Sequence, residues 1–167
     1  MEIKNLALKF AIKLLTLRRR SVFEIKTRLQ KKGYESDIIK QVIEDLNSYK
    51  YLDDEAFAES YINDRMNFRP CGRFIIKKEL KERGISENII ERKIEELISI
   101  EQEIKSAKKL ATQKSKTISE KIEKNKAIQK VKAYLQSKGF SFDVINQAVK
   151  NKNVYHNIAE DSESNSE

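Results

Sequence analysis

The chain has 167 residues, 34 of them Lys or Arg against 26 Asp or Glu, for a formal net charge of +8; 39% are hydrophobic and 36% charged. That describes one large domain or a few small modules with a polar coat, better suited to thin layers or an elongated shape than to a thick globule. A single Cys (Cys71) and a single His (His156) exclude a zinc finger, a disulfide framework and a Cys/His nucleophile pair supported by further histidines, and four scattered glycines argue against a phosphate-cradling loop, so no metal, cofactor or catalytic set is expected.

In chain order, residues 3–18 predict a first helix with two apolar stripes, Ile3, Leu6, Phe10, Leu14 and Leu17 on one side and Leu8, Ile12 and Leu15 on the other. A helix apolar on two sides is expected to be covered on both. After Arg18-Arg19-Arg20 a second helix runs to Gly33, and a third, capped by Ser36, carries Ile39, Val42, Ile43, Leu46 and Tyr49. Asp53-Asp54-Glu55 then supplies an N-cap and an acidic first turn to a helix with Phe57, Ala58, Tyr61 and Ile62 on one face, broken at Pro70-Cys71-Gly72. The next helix ends at Gly84, and another starts at Ser86. A helix over about 100–118 carries Ile100, Ile104, Ala107 and Ala111, and the Lys/Ser/Thr-rich stretch 112–124 is expected to fray or turn. The last pair is divided by Gly139 and restarts at Ser141, and residues 151–167 read as a disordered acidic tail.

The pattern is one unit written three times. Leu29-Gln-Lys-Lys-Gly33-Tyr34, Leu80-Lys-Glu-Arg-Gly84-Ile85 and Leu135-Gln-Ser-Lys-Gly139-Phe140 share a Leu, two polar residues, a cation, Gly and a large apolar side chain. Ile25, Ile76 and Val131 precede the three glycines at one spacing, while Ile38, Ile89 and Val144, then Ile43, Ile94 and Val149, follow at two others. In each copy the cation favours the negative end of a helix, Gly stops it, and the next apolar residue packs back on the last turn. The reading is therefore all-α: three tandem three-helix repeats at 1–52, 53–98 and 99–150, in an elongated, curved, solenoid-like arrangement. Net charge partitions as +6, −2 and +7 over the repeats and −3 over the tail.

The candidate contact residues are cations. Arg18, Arg19 and Arg20, continued by Arg28, Lys31 and Lys32, could contact phosphates, although some of these cations complement a helix dipole. In the middle repeat Arg65 falls on the apolar face, where a partly buried ion pair with Asp53 or Asp54 competes with a contact role. Arg69 and Arg73 flank the loop beyond. Lys77 and Lys78 alternate with Glu79 and Glu82 on a mixed-charge face. The lysines of the third repeat form a broader basic surface. Tyr34, Phe140 and the Tyr49/Tyr51 pair read as core plugs rather than base-stacking platforms.

Leu17-Arg-Arg-Arg-Ser21 leading into Glu24-Ile-Lys-Thr-Arg-Leu29 and Lys32-Gly33, Tyr51-Leu-Asp-Asp-Glu-Ala-Phe-Ala58 with Tyr61 and Arg65, and Lys78-Glu-Leu-Lys-Glu-Arg-Gly-Ile85 resemble the RecX family of regulatory proteins. The resemblance covers about residues 6–98 by motif and the third repeat by periodicity, and departs from the family pattern at Arg69-Pro-Cys-Gly-Arg73. It implies a monomeric, cytoplasmic, non-catalytic regulator lying in the groove of the RecA–single-stranded-DNA filament. There it would suppress filament growth, ATPase and strand exchange, and so modulate DNA repair and the SOS response. It would reach DNA through the filament or directly, with no membrane partner. The candidate cations would then serve RecA or DNA. Two other readings compatible with the residues are a stand-alone DNA-binding helical module and a helical protein-interaction scaffold.

Overall fold

In the computed structural model, residues 2–119 and 122–150 are described; the tail reading at 151–167, His156 included, lies outside them. The described residues form nine helices and no strand. The first repeat holds α1 (Glu2–Leu17), α2 (Val22–Lys31) and α3 (Ser36–Ser48). The second holds α4 (Asp54–Phe68), α5 (Arg73–Glu82) and α6 (Glu87–Leu97), and the third α7 (Ile100–Ser115), α8 (Lys124–Ser137) and α9 (Phe142–Val149).

Each second helix ends in the same hydrogen-bonded turn. The amide of the residue after Gly donates to the Leu carbonyl five positions back: Tyr34 to Leu29, Ile85 to Leu80, and Phe140 to Leu135. The Gly amide donates to Gln30, Lys81 and Gln136 respectively, at 2.9 Å each time. This is the Schellman closure, and it requires the left-handed backbone seen at Gly33, Gly84 and Gly139, with φ of 91°, 75° and 80°. The Leu of each string is fully buried, as are Ile25, Ile76 and Val131.

The restart after the turn differs from expectation in the first copy. Ser141 caps α9 by accepting from the Val144 amide, but Ser36 is the first residue of α3, and the cap position belongs to Glu35, whose side chain makes no capping bond. The cap sits two residues after Gly in both copies, and in the first that place holds Glu35. Asp53 caps α4 as expected, accepting from the Glu55 and Ala56 amides at 2.9 Å. α7 has a full capping box between Ser99 and Gln102. It stays helical to Ser115, past the start of the stretch expected to fray, because Leu110, Ala111 and Ser115 are buried there; turns follow at 116–118.

Two further expectations are corrected. Only part of α1 is covered: Ala7 and Ala11 are fully buried and let the helix approach its neighbours, but Ile3, Leu6 and Leu17 are 61%, 54% and 73% exposed. Tyr49 and Tyr51 are exposed rather than plugged into a core. α3 has no Gly stop; its chain reverses through Lys50 at φ 56°, which turns the two tyrosines outward. Tyr34 is half-buried and Phe140 buried, as read.

By packing, the described residues fall into two compact units, one from 2–62 and 78–93 and the other from 63–77 and 94–150, so the division passes through α4 and α5 rather than between repeats. The core of the first unit includes Ile25, Leu29, Val42, Ile43 and Leu46. That of the second is built on Leu110, Val131, Leu135, Phe140 and Val144.

Candidate functional site

In each unit, the start of one repeat's second helix meets the Gly turn of the next repeat. In the first unit the buried Ser21 caps α2, accepting from the Glu24 amide while its hydroxyl donates to the Arg83 carbonyl at 2.6 Å. The Val22 amide donates to Asp54 Oδ1 at 2.9 Å, and a Cβ on Gly84 would collide with the Phe23 side chain. In the second unit the corresponding Gly72 amide donates to the Lys138 carbonyl at 2.9 Å, and the Arg73 amide donates to Glu103 Oε1 at 3.0 Å. Gly139 lies against Ile75, and a Cβ on Gly72 would overlap the Gly139 carbonyl. Within Arg69-Pro-Cys-Gly-Arg73, Gly72 thus has a physical reason: only hydrogen fits there.

This geometry sorts the predicted cations. Arg18 is exposed but forms a two-pronged pair with Glu24, both contacts 2.9 Å, and the Arg20 guanidinium donates to the Leu14 carbonyl at 3.1 Å. Both brace the turn between α1 and α2. The Arg18 pair raises its own guanidinium pKa, whereas burial and the neighbouring charge of Arg18 lower that of Arg20. Arg19, Arg28, Lys31 and Lys32 are exposed, with the Lys32 ammonium 6.0 Å from the Phe10 ring centre. They form the open basic face of the first unit. Lys78, also exposed, is 4.0 Å from Glu82 on its own helix.

The remaining candidates belong to the second unit. Arg73 is tied into the junction: its guanidinium lies 2.9 Å from Oε2 of the buried Glu103 and donates to the Ile98 carbonyl. Asp53 and Asp54 sit at the other end of α4 from Arg65, about 16 Å away at helical rise, and serve backbone amides. The expected pairing with Arg65 therefore does not form. Lys77 is half-buried.

Arg65 and Arg69 converge on a cleft of about 430 Å³ that is also lined by Lys109 from α7, by Tyr134 from α8 and by Lys138 just after it, with Phe68 at its edge, 78% exposed. The Lys114 and Lys138 ammonium groups lie 5.6 and 5.4 Å from the Tyr134 ring centre. Among the described residues no carboxylate lines the cleft. Lys109 was read from sequence only as one of the lysines of the third repeat's basic surface, and Tyr134 and Lys138 were not singled out. A second hollow, of about 360 Å³, adjoins along α7 through Lys109, Pro70 and Asn67 and adds Lys105.

Three tandem three-helix units with cationic surfaces in both packing units define an all-α repeat protein with a concave basic site. The models of the first, second and third three-helix domains of RecX match residues 7–46, 53–93 and 101–149. A Regulatory protein RecX of Pelodictyon phaeoclathratiforme is 37% identical over 86% of this chain and 87% of its own length. Those of Clostridium perfringens and Bacillus pumilus are 41% and 34% identical, and the chain spans only 59% and 52% of their lengths. The crystal structure of RecX from Lactobacillus salivarius superposes with a TM-score of 0.80 at 26% identity, covering 88% of this chain and 94% of that one. The chain belongs to the RecX family. No helix among the described residues is long and apolar enough to cross a membrane.

Proposed function

We propose that this chain is a non-catalytic regulator of RecA that acts in the cytoplasm as a monomer, seats its repeats at 1–52, 53–98 and 99–150 in the groove of the RecA–single-stranded-DNA filament, and restrains filament growth, ATPase and strand exchange. Its place in DNA repair and the SOS response follows from that action. The observation that carries the reading is the match of all three RecX three-helix units in order, together with a RecX relative whose length the chain nearly spans. The chemistry is compatible, since a DNA-containing filament presents phosphates to the exposed cations of both units.

RecA ATPase on single-stranded DNA, measured over a wide range of added protein, tests the reading. A fall in ATPase is expected, and an unchanged rate would remove it. Because Arg18 and Arg20 brace a turn, the variant that probes the basic face of the first unit is Arg19→Glu with Arg28→Glu and Lys31→Glu, three exposed positions. It should weaken inhibition while leaving the thermal melt in place. Undiminished inhibition by this variant would take that face out of the mechanism.

A further inference from the structure

We propose that the acidic run Glu160, Asp161 and Glu163 docks in this chain's own cleft between the end of α4 and the α7/α8 pair, as an intramolecular occupant that any other polyanion must displace. The contact needs no RecA and stands apart from the regulatory reading above. Beyond Lys152 the sequence carries four acids, Glu160, Asp161, Glu163 and Glu167, and no Lys or Arg. The cleft has the opposite make-up: Arg65, Arg69, Lys109 and Lys138 converge on one concavity, and among the described residues no carboxylate lines it. A carboxylate entering it meets attraction without a competing acid. Other cations offer less, since Arg18 and Arg73 are held by Glu24 and Glu103, and Lys78 has Glu82 one turn away.

Position and reach also favour this pairing. Val149 at the end of α9 belongs to the core that includes Leu110, and Leu110 also lines the cleft. The chain therefore leaves α9 from the core beneath the cleft. From Lys150 to Glu160 an extended chain reaches up to about 35 Å, against about 24 Å for the whole length of α7. Tethering on one chain raises the effective concentration to the millimolar range, so ion pairs too weak to hold a free peptide suffice. Val154, Tyr155 and Ile158 come just before the acids, and Phe68 at the cleft edge offers them an exposed apolar ring.

A nitroxide on Ser164→Cys, in the full chain with Cys71→Ala so that only one thiol remains, tests the contact by nuclear magnetic resonance without RecA. The amide signals of Lys109 and Lys138 are expected to lose most of their intensity and to regain it when the nitroxide is reduced or when salt is raised to about 1 M, where the screening length falls to about 3 Å. Glu160→Gln with Asp161→Asn and Glu163→Gln, introduced in the labelled chain, should abolish the loss, as should Arg69→Glu with Lys109→Glu, two exposed positions whose circular dichroism melt reports an intact fold. In the otherwise unaltered chain, which keeps Cys71, the same three neutralisations should shift the Lys109 and Lys138 amide resonances. Unshifted resonances there overturn the proposal, as does a nitroxide effect that persists after neutralisation. Intensity loss centred on Arg19 and Lys31 would place the acids on the other basic face and overturn the cleft. Loss of equal size between spin-labelled and isotope-labelled chains mixed in one sample would make the occupant a second copy and overturn the intramolecular contact.

Discussion

Glu24 and Asp54 flank the start of α2 and are displaced in opposite directions. Burial pushes the Glu24 carboxyl up, but the two-pronged Arg18 guanidinium outweighs it and holds the group below its ordinary value. Asp54 is pushed above its ordinary value by burial, which the Val22 amide only partly offsets and the neighbouring Asp53 charge reinforces. A carboxyl held low in the fold contributes stability that is complete above its unfolded pKa and lost as pH falls through the folded pKa. A carboxyl held high contributes stability that is complete below its unfolded pKa and lost as pH rises through the folded pKa. Glu24→Gln is therefore expected to flatten the loss of stability on the acid side of the usual glutamate range. Asp54→Asn keeps an acceptor for the Val22 amide and should flatten the loss on the alkaline side of the usual aspartate range. Urea midpoints stepped through acid pH read both; a Glu24→Gln acid limb identical to the parent's would remove Arg18–Glu24 as the cause.

At the scale of the element, the three Gly turns share their internal geometry and differ in what touches them. A Cβ added to Gly33 meets nothing within 4 Å, whereas one added to Gly139 meets Ile75, its backbone nitrogen included. Gly33→Ala should then cost only the left-handed conformation, about 1–2 kcal/mol. Gly139→Ala adds overpacking of about 1–3 kcal/mol. Chemical denaturation of the two variants should place Gly139→Ala clearly lower, and equal losses would mean that the junction yields freely. The turns were legible in sequence because their bonds lie within six residues of Leu-x-x-cation-Gly-apolar. What lies against Gly84 and Gly139 was not, because Phe23 and Ile75 belong to the preceding repeat and no local pattern announces them. The one-residue error at Ser36 has the same root: a Ser beside the cap position looks like the cap until the spacing from Gly is compared across copies. Arg65 and Arg69 were readable as candidates, but the cleft that unites them needs Lys109 and Lys138 from the next repeat.

At the scale of the whole molecule, the second repeat is the one whose helix ends are finished by other repeats. The Gly72 and Arg73 amides that open α5 go to Lys138 and Glu103 of the third repeat, while the Arg83 carbonyl near its close and the Asp54 carboxylate at the start of α4 receive Ser21 and Val22 of the first. The packing division through α4 and α5 is the same fact seen in the cores. In a tandem array, stability is a sum of intrinsic and nearest-neighbour contributions, and here the middle member has neighbour bonds on both sides. A peptide of residues 53–98 alone loses those partners and exposes Gly72 and Gly84, two positions suited to close packing rather than to helix formation. It should show far-ultraviolet circular dichroism well below its share of the parent's helical signal and no cooperative melt. Extending it to residue 150 restores the Lys138 and Glu103 partners and should recover both. A fully helical, cooperatively melting 53–98 peptide would mean that each repeat is self-sufficient and that the junction bonds only orient units already folded.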